Sequence, residues 1–434
     1  MRVIRRALLG ILVAASATGA QTPDSTARRQ QRALDSLSTS VRALQQRLDS
    51  LERAPAPVAS APARASGTYM NMGFDALSVF GWSTTSDVAS LQRGDHDPQV
   101  RGFTVPNVEL TFDAAVDPYF KGFSAIVTKL DANGNTAVEL EEAWAQTTSL
   151  PANLQVKAGQ FLGDFGRQNA QHPHAWAFVD QPLVLNQMFG PDGLRGQGAR
   201  VSWLAPTETY VEASLSLMNS AGGTTWSFRS EESTQIHGGT PVERPVDGFS
   251  DLLVVPRITS SVDLSDTQTL VVGASGAFGP NNSGAGARTS LFGGDVYYKW
   301  KPEVSTAGFP FFSLQAEAIS RKYDAAARRD ADTGLNLPKE TLNDWGAYSQ
   351  ALWGIRPRIV AGLRGEILRN SASGFDAAGR QDRERISPNF TWYPTEFSKL
   401  RLQYNYDRRD ALRDEHSLWI QFEFMMGAHA AHKF

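Results

Sequence analysis

The sequence predicts an all-β protein: a transmembrane antiparallel β-barrel of about 16 strands, preceded by a short N-terminal coiled-coil helix. Three observations predict it. From about Gly67 onward, apolar and polar residues alternate with period two in stretches of about ten residues, the length of a tilted strand crossing a bilayer. The links between these stretches sort into tight turns and long polar loops. Aromatic residues keep a fixed distance from the tight turns.

The elements follow in chain order. Residues 1–20 read as a signal peptide: Arg2, Arg5 and Arg6, then the apolar run Ala7 to Ala17, then small residues before Gln21. Residues 21–53 read as a periplasmic helix. Leu34, Leu37, Val41, Leu44, Leu48 and Leu51 fall on alternating steps of three and four, a heptad seam that one helix cannot bury alone, so self-association is expected. Residues 54–66 (Ala54 to Ser66) form a Pro/Ala linker, extended and semi-rigid. Residues 67–434 are assigned to the barrel.

Within the barrel, Leu400, Leu402, Tyr404 and Tyr406 alternate with Lys399, Arg401, Gln403, Asn405 and Asp407. Leu418, Ile420, Phe422, Phe424 and Met426 alternate with Trp419, Gln421, Glu423 and Met425. Tight turns are expected at 116–119, 149–152, 205–208, 264–267, after Pro302, at 355–358 and at 393–396; all but the one at 264–267 carry proline. Long links are expected at 83–104, 163–196, 219–248, 279–288, 324–341 and 370–383. Trp203, Trp300, Trp353 and Trp392 precede the turns, and Tyr119, Tyr210 and Phe397 follow them, as an aromatic girdle at the headgroup level requires. Phe434 supplies an aromatic chain end, although the alternation lapses between Gly427 and Lys433.

Composition agrees. The net charge of −3 gives no support to nucleic-acid binding. Mean hydropathy is −0.31, as expected when lipid-facing and lumen-facing residues alternate. There is no cysteine, so an exported chain must be held by something other than disulfides, and barrel closure is such a means.

The link 163–196 carries apolar residues that a free surface loop would not need. It is expected to fold into the lumen and narrow it, with Arg167, Asp180, Asp192 and Arg195 lining the constriction. Alternation places Lys157, Arg364, Lys399, Arg401, Glu139 and Glu141 on the lumen wall, together with Lys299, Arg321, Glu109, Glu317, Glu366, Asp407 and Glu423.

The stretch from Val156 to Leu204, with Gly159, Phe161, Phe165, Gly166 and Arg167 in a G-x-F-x-x-x-F-G-R pattern, resembles the phosphate-selective porin O and P family. The resemblance implies a 16-stranded, often trimeric porin in the outer membrane, passing small hydrophilic solutes or ions without a cofactor. It does not carry phosphate specificity over, because the expected lumen acids are at least as many as the bases.

His172-Pro-His174 is a candidate metal-binding pair, since imidazoles suit Zn²⁺ or Cu²⁺, as is His429 with His432. No G-x-S-x-G, HExxH or Walker pattern points to an enzyme. Asp131 to Asn135 has calcium-loop residue types but the wrong glycine position, and reads as a hairpin turn. A receptor-like or metal-related uptake barrel, or a structural barrel tethered through its coiled coil, are the alternative functions.

Overall fold

A computed structural model of the protein describes residues 70–130, 133–230, 236–237, 239–242, 244–371, 380–410 and 412–427. The expected signal peptide, heptad helix and linker, and His429, His432 and Phe434, lie outside the described residues.

Sixteen antiparallel strands close into one barrel. They are β1 (Met70–Ser83), β2 (Gly102–Ala115), β3 (Phe120–Leu130), β4 (Thr136–Thr147), β5 (Leu154–Leu162) and β6 (Arg195–Leu204). Next come β7 (Tyr210–Asn219), β8 (Leu252–Ser265), β9 (Gln268–Pro280), β10 (Arg288–Trp300) and β11 (Phe311–Ala325). The last are β12 (Glu340–Arg356), β13 (Ile359–Arg369), β14 (Arg383–Thr395), β15 (Ser398–Arg409) and β16 (Glu415–Gly427). Each strand pairs with its chain neighbour, and β1 pairs with β16 from Gly73↔Gly427 to Ser83↔Ser417, so no edge remains.

The connections sort as expected. One end carries the links 116–119, 148–153, 205–209, 266–267, 301–310, 357–358 and 396–397. The other carries 84–101, 131–135, 163–194, 220–251, 281–287, 326–339, 370–382 and 410–414. The turn expected at 393–396 sits two residues later: Pro394 still belongs to β14, where the register slips between Trp392 and Thr395. A proline is tolerated there because the ladder is already interrupted.

Outward positions are apolar. Phe390, Leu402, Ile420 and Phe80 are cross-strand neighbours in one exposed row around the barrel. Among the girdle aromatics, Trp203, Trp353, Trp392, Tyr119, Tyr210 and Phe397 are exposed, and Trp300 is half-buried. Leu402→Arg in this row is expected to cost about 2–4 kcal/mol of stability in a bilayer. Reversible unfolding from lipid vesicles reads that loss directly.

The lumen is not polar throughout. In its long-loop half, the inward residues Met218, Leu253, Val255, Ala277, Leu291, Ile319 and Tyr348 form a hydrophobic core with residues of the 163–194 link. Such a core can exist only because something apolar fills the barrel there.

Candidate functional site: the loop inside the barrel

The link 163–194 leaves the end of β5, crosses the lumen and returns to β6. Asn169 ties its base. Its amide donates to the carbonyls of Gly163 (2.8 Å) and Leu194 (2.9 Å), and its oxygen accepts from the Leu194 N–H (2.8 Å). The tip of the Phe165-Gly166-Arg167 motif reaches β11, where Glu317 accepts the N–H groups of Arg167 (3.0 Å) and Gln168 (2.7 Å). Gly166 holds φ +62°, and a Cβ there would lie 2.2 Å from a Glu317 oxygen. Only glycine satisfies both constraints. Phe165 packs edge-on against Phe189 in the core.

The segment then runs along β13 to β15. The carbonyls of Trp176 and Ala177 accept from Arg401 (2.9 Å) and Asn389 (2.8 Å), and the Val179 N–H donates to Gln403 (2.7 Å). Helix α1 (Leu183–Phe189) follows, with all of its residues buried. The N–H of Leu183 donates to Glu366 (2.6 Å), and the carbonyl of Gln187 accepts from Arg321 (3.0 Å). Arg321 itself pairs with Asp344, which also accepts from Arg380 (2.6 Å). Lumen side chains thus supply the partners that a buried, irregular backbone must find.

Asp180 is the hub. It is 1% exposed and accepts hydrogen bonds from Gln92 (2.9 Å), Arg385 (2.8 Å), Gln403 (2.9 Å) and Asn405 (2.9 Å), and from Arg364. Burial alone would raise its carboxyl. The guanidiniums of Arg364 and Arg385 outweigh that and hold it below the usual range. Gln92 belongs to the link 84–101, so Asp180 also ties a second loop over the first.

That second tie includes Asp97, whose oxygens accept from the N–H groups of Gly94 (2.8 Å) and Gln181 (2.9 Å). Burial first, then the charge of Asp180, pushes Asp97 up to about 6. Its value is raised above the ordinary 3.8, so its contribution to docking is full below about pH 4 and is lost as pH rises through 6. Limited proteolysis of residues 84–101 is expected to speed up between about pH 4 and 6, and Asp97→Asn is expected to flatten that dependence.

The four residues expected at one constriction separate. Asp180 anchors the loop. Arg167 lies with its guanidinium 4.0 Å from the Tyr297 ring centroid. Asp192 and Arg195 lie by β3 and β4, Asp192 at 3.7 Å from Lys129 and Arg195 paired with Glu139, which also pairs with Lys129 (3.2 Å). Of the expected lumen set, Arg364 and Arg401 bind the loop. Lys399 pairs with Glu423 (2.5 Å) and donates to the His174 carbonyl (2.6 Å). Lys157 sits 4.2 Å from the Trp144 ring centroid.

Glu141 faces inward as expected, but so does Glu142, which strict alternation turns toward lipid. The β3–β4 register slips between Ala125↔Glu142 and Ile126↔Leu140, leaving Glu141 as the extra residue of a bulge. Both carboxylates are buried. The sequence signal was a charge, Glu142, at a lipid-facing parity. Further lumen residues absent from the sequence-derived set are Arg257, which pairs with Asp295 (2.7 Å), and Arg383 and Arg385, which pair with Asp407 (2.6 and 2.9 Å).

His172 and His174 descend to β1, β2 and β4. His172 Nδ1 lies 3.2 Å from Glu109 and 3.0 Å from Glu141, and its Nε2 lies 3.0 Å from Glu142. His174 Nδ1 lies 3.3 Å from Asp75 and 3.6 Å from Glu109. Burial lowers both imidazoles, but the surrounding carboxylates outweigh it. His174 is held up at about 9, and His172 well above its ordinary value.

Beneath the loop, toward the tight turns, the lumen is hollow. A cavity of about 430 Å³ is lined by Arg167, His174, Lys299, Lys399, Tyr297 and Gln315 among others, with no carboxylate among the described residues of its wall. A second, of about 370 Å³, has a mixed wall including Asp164, Arg200, Glu212 and Arg257.

This architecture has solved counterparts. The anion-selective porin from Comamonas acidovorans superposes with a TM-score of 0.50, at 9% identity, over 82% of this chain and 99% of that one. The outer membrane channel DcaP of Acinetobacter baumannii gives 0.51, at 12% identity, over 82% and 97%. The chain has the porin fold. In sequence, it is 29% identical over 354 residues to an uncharacterized protein of Aquifex aeolicus, covering 77% of this chain and 70% of the relative. No family model matches the chain.

Proposed function

We propose that this chain is an outer-membrane porin that passes small hydrophilic solutes through a loop-narrowed lumen, with a preference for anions. The observation that carries the reading is the hollow beneath the loop, whose charged wall is basic. The expected balance of lumen acids and bases argued against an anion path. Pairing reverses that argument. Asp180, Asp295, Asp344, Glu366, Asp407 and Glu423 each sit in an ion pair with Arg or Lys, whereas Arg167 and Lys299 border the cavity with no carboxylate within salt-bridge distance among the described residues. Unpaired charge sets the sign of selectivity. The likeness to an anion-selective porin and the resemblance of residues 156–204 to phosphate-selective porins support the same sign. Nothing in the charges that border the cavity narrows the preference to one solute, so small anions as a class are proposed.

Planar-bilayer recording tests the proposal. Small, resolvable conductance steps and a reversal potential of anion sign in a salt gradient are the expected result. A silent barrel, or a cation-signed potential, sinks it. The resemblance of residues 156–204 to a family of often trimeric porins predicts a homotrimer, seen as conductance steps in groups of three.

A further inference from the structure

We propose that His172, Glu109 and Glu141 form a binding site for a divalent first-row transition cation, adjoined through the second oxygen of Glu109 by His174 and Asp75. The ligand atoms converge. His172 Nδ1, a Glu109 oxygen and a Glu141 oxygen lie within 4.8 Å of one another, as do His174 Nδ1, the other Glu109 oxygen and an Asp75 oxygen. The nitrogen-to-oxygen separations of 3.0–3.6 Å match the edges of a coordination shell with bonds of about 2.0–2.2 Å.

The tautomer of His172 sharpens the case. Its Nε2 faces an oxygen of Glu142 at 3.0 Å. An ionised carboxylate only accepts, so Nε2 carries the proton and donates. In the neutral ring, Nδ1 then presents a lone pair toward two carboxylate oxygens. Once Nδ1 gives up its proton, three acceptors meet at one buried point, and a cation can take that proton's place. Glu109 is 0% exposed, and neither of its oxygens accepts a hydrogen bond; nor does the Glu141 oxygen that faces His172. A cation at that point satisfies all three atoms. A carboxylate on the far nitrogen of a ligating histidine is also the usual outer support of a metal site. Among the described residues, Asp75, Glu109, Glu141 and Glu142 have histidines as their only cationic neighbours within salt-bridge distance. The imidazole selects a borderline cation over Ca²⁺ or Mg²⁺.

The bulge in β4 makes the arrangement possible, since it turns both Glu141, a ligand, and Glu142, its support, toward the same histidine. The bound cation would fasten the inserted loop to β2 and β4.

The test is calorimetric titration of the purified full-length barrel, stripped with chelator, in detergent. Zn²⁺ is the probe and Ca²⁺ the comparison. Zn²⁺ is expected to bind more tightly at pH 8 than at pH 6, because ligation displaces protons, and Ca²⁺ at least about tenfold more weakly. His172→Gln is expected to weaken Zn²⁺ binding at least as much as Glu142→Gln, for which about 10–100-fold is expected. Heat-modifiable gel migration confirms that each variant is a folded barrel, and Glu142→Gln carries the test alone should His172→Gln fail to fold. Absence of Zn²⁺ binding, or unchanged affinity in a folded His172→Gln or Glu142→Gln variant, overturns the proposal. Neither outcome bears on conductance, so the porin reading stands or falls separately.

Discussion

Asp180→Ala is expected to undock residues 163–194 and to raise single-channel conductance several-fold. The residue is buried among five donors, two of them the guanidiniums of Arg364 and Arg385. The substitution removes hydrogen bonds from two charged donors, at about 1.5–3 kcal/mol each and about 3–6 kcal/mol together. That corresponds to a rise of roughly 10²–10⁴-fold in the undocked population. Arg385 keeps Asp407 at 2.9 Å, and Arg364 keeps Glu366 at 2.8 Å, so the barrel wall is expected to survive. Protease cleavage between residues 163 and 194, with the heat-modifiable barrel intact, separates loop release from global unfolding. Unchanged conductance and protection would show that the hydrophobic core and α1 hold the loop without the ion pairs.

The pH dependence of this anchor has a definite sign. Asp180 is held below its ordinary 3.8, so its contribution is present above that value and is lost as pH falls through the lower, docked-state value. Loop release by acid is therefore expected only below about pH 4. Asp97, on the neighbouring loop, works in the opposite direction between about 4 and 6. Because the charge of Asp180 helps to raise Asp97, acid that neutralises Asp180 also bears on the second loop.

The second large effect concerns selectivity. Arg167→Glu combined with Lys299→Glu is expected to reverse the sign of the reversal potential. Both residues border the 430 Å³ cavity. A unit charge at about 8 Å and an effective dielectric near 20 acts on a passing ion with about 2 kcal/mol. Each reversal therefore changes the preference by more than about tenfold at low salt, and raising the salt concentration shrinks the effect. Retention of an anion-signed potential in the folded double variant would place the selective charges elsewhere.

The barrel was legible in the sequence because its physics is local and periodic. A strand with lipid on one side and side chains on the other must alternate. Thus Leu400 and Leu402 outside, and Lys399 and Arg401 inside, followed from parity alone. Turn prolines and girdle aromatics set the strand ends for the same reason. The inserted loop was legible from its excess of apolar residues, and Gly166 from its motif. Parity failed at Glu142, where a bulge shifts the register, because a bulge depends on pairing between two strands.

The constriction was not legible, and neither was the pairing of the lumen charges. Asp180 reads in sequence as one loop acid among several. Its role depends on Arg364, Arg385, Gln403 and Asn405 from three different strands, joined only when the barrel closes. The same holds for the histidines. His172-Pro-His174 indicated a metal pair, but its partners Glu109, Glu141 and Asp75 come from separate strands of the wall. Sequence periodicity by itself determined which face each strand presents and how many strands there are. Only the tertiary structure decided which lumen charges cancel and which remain free, because cancellation depends on distances across the barrel that no local pattern encodes.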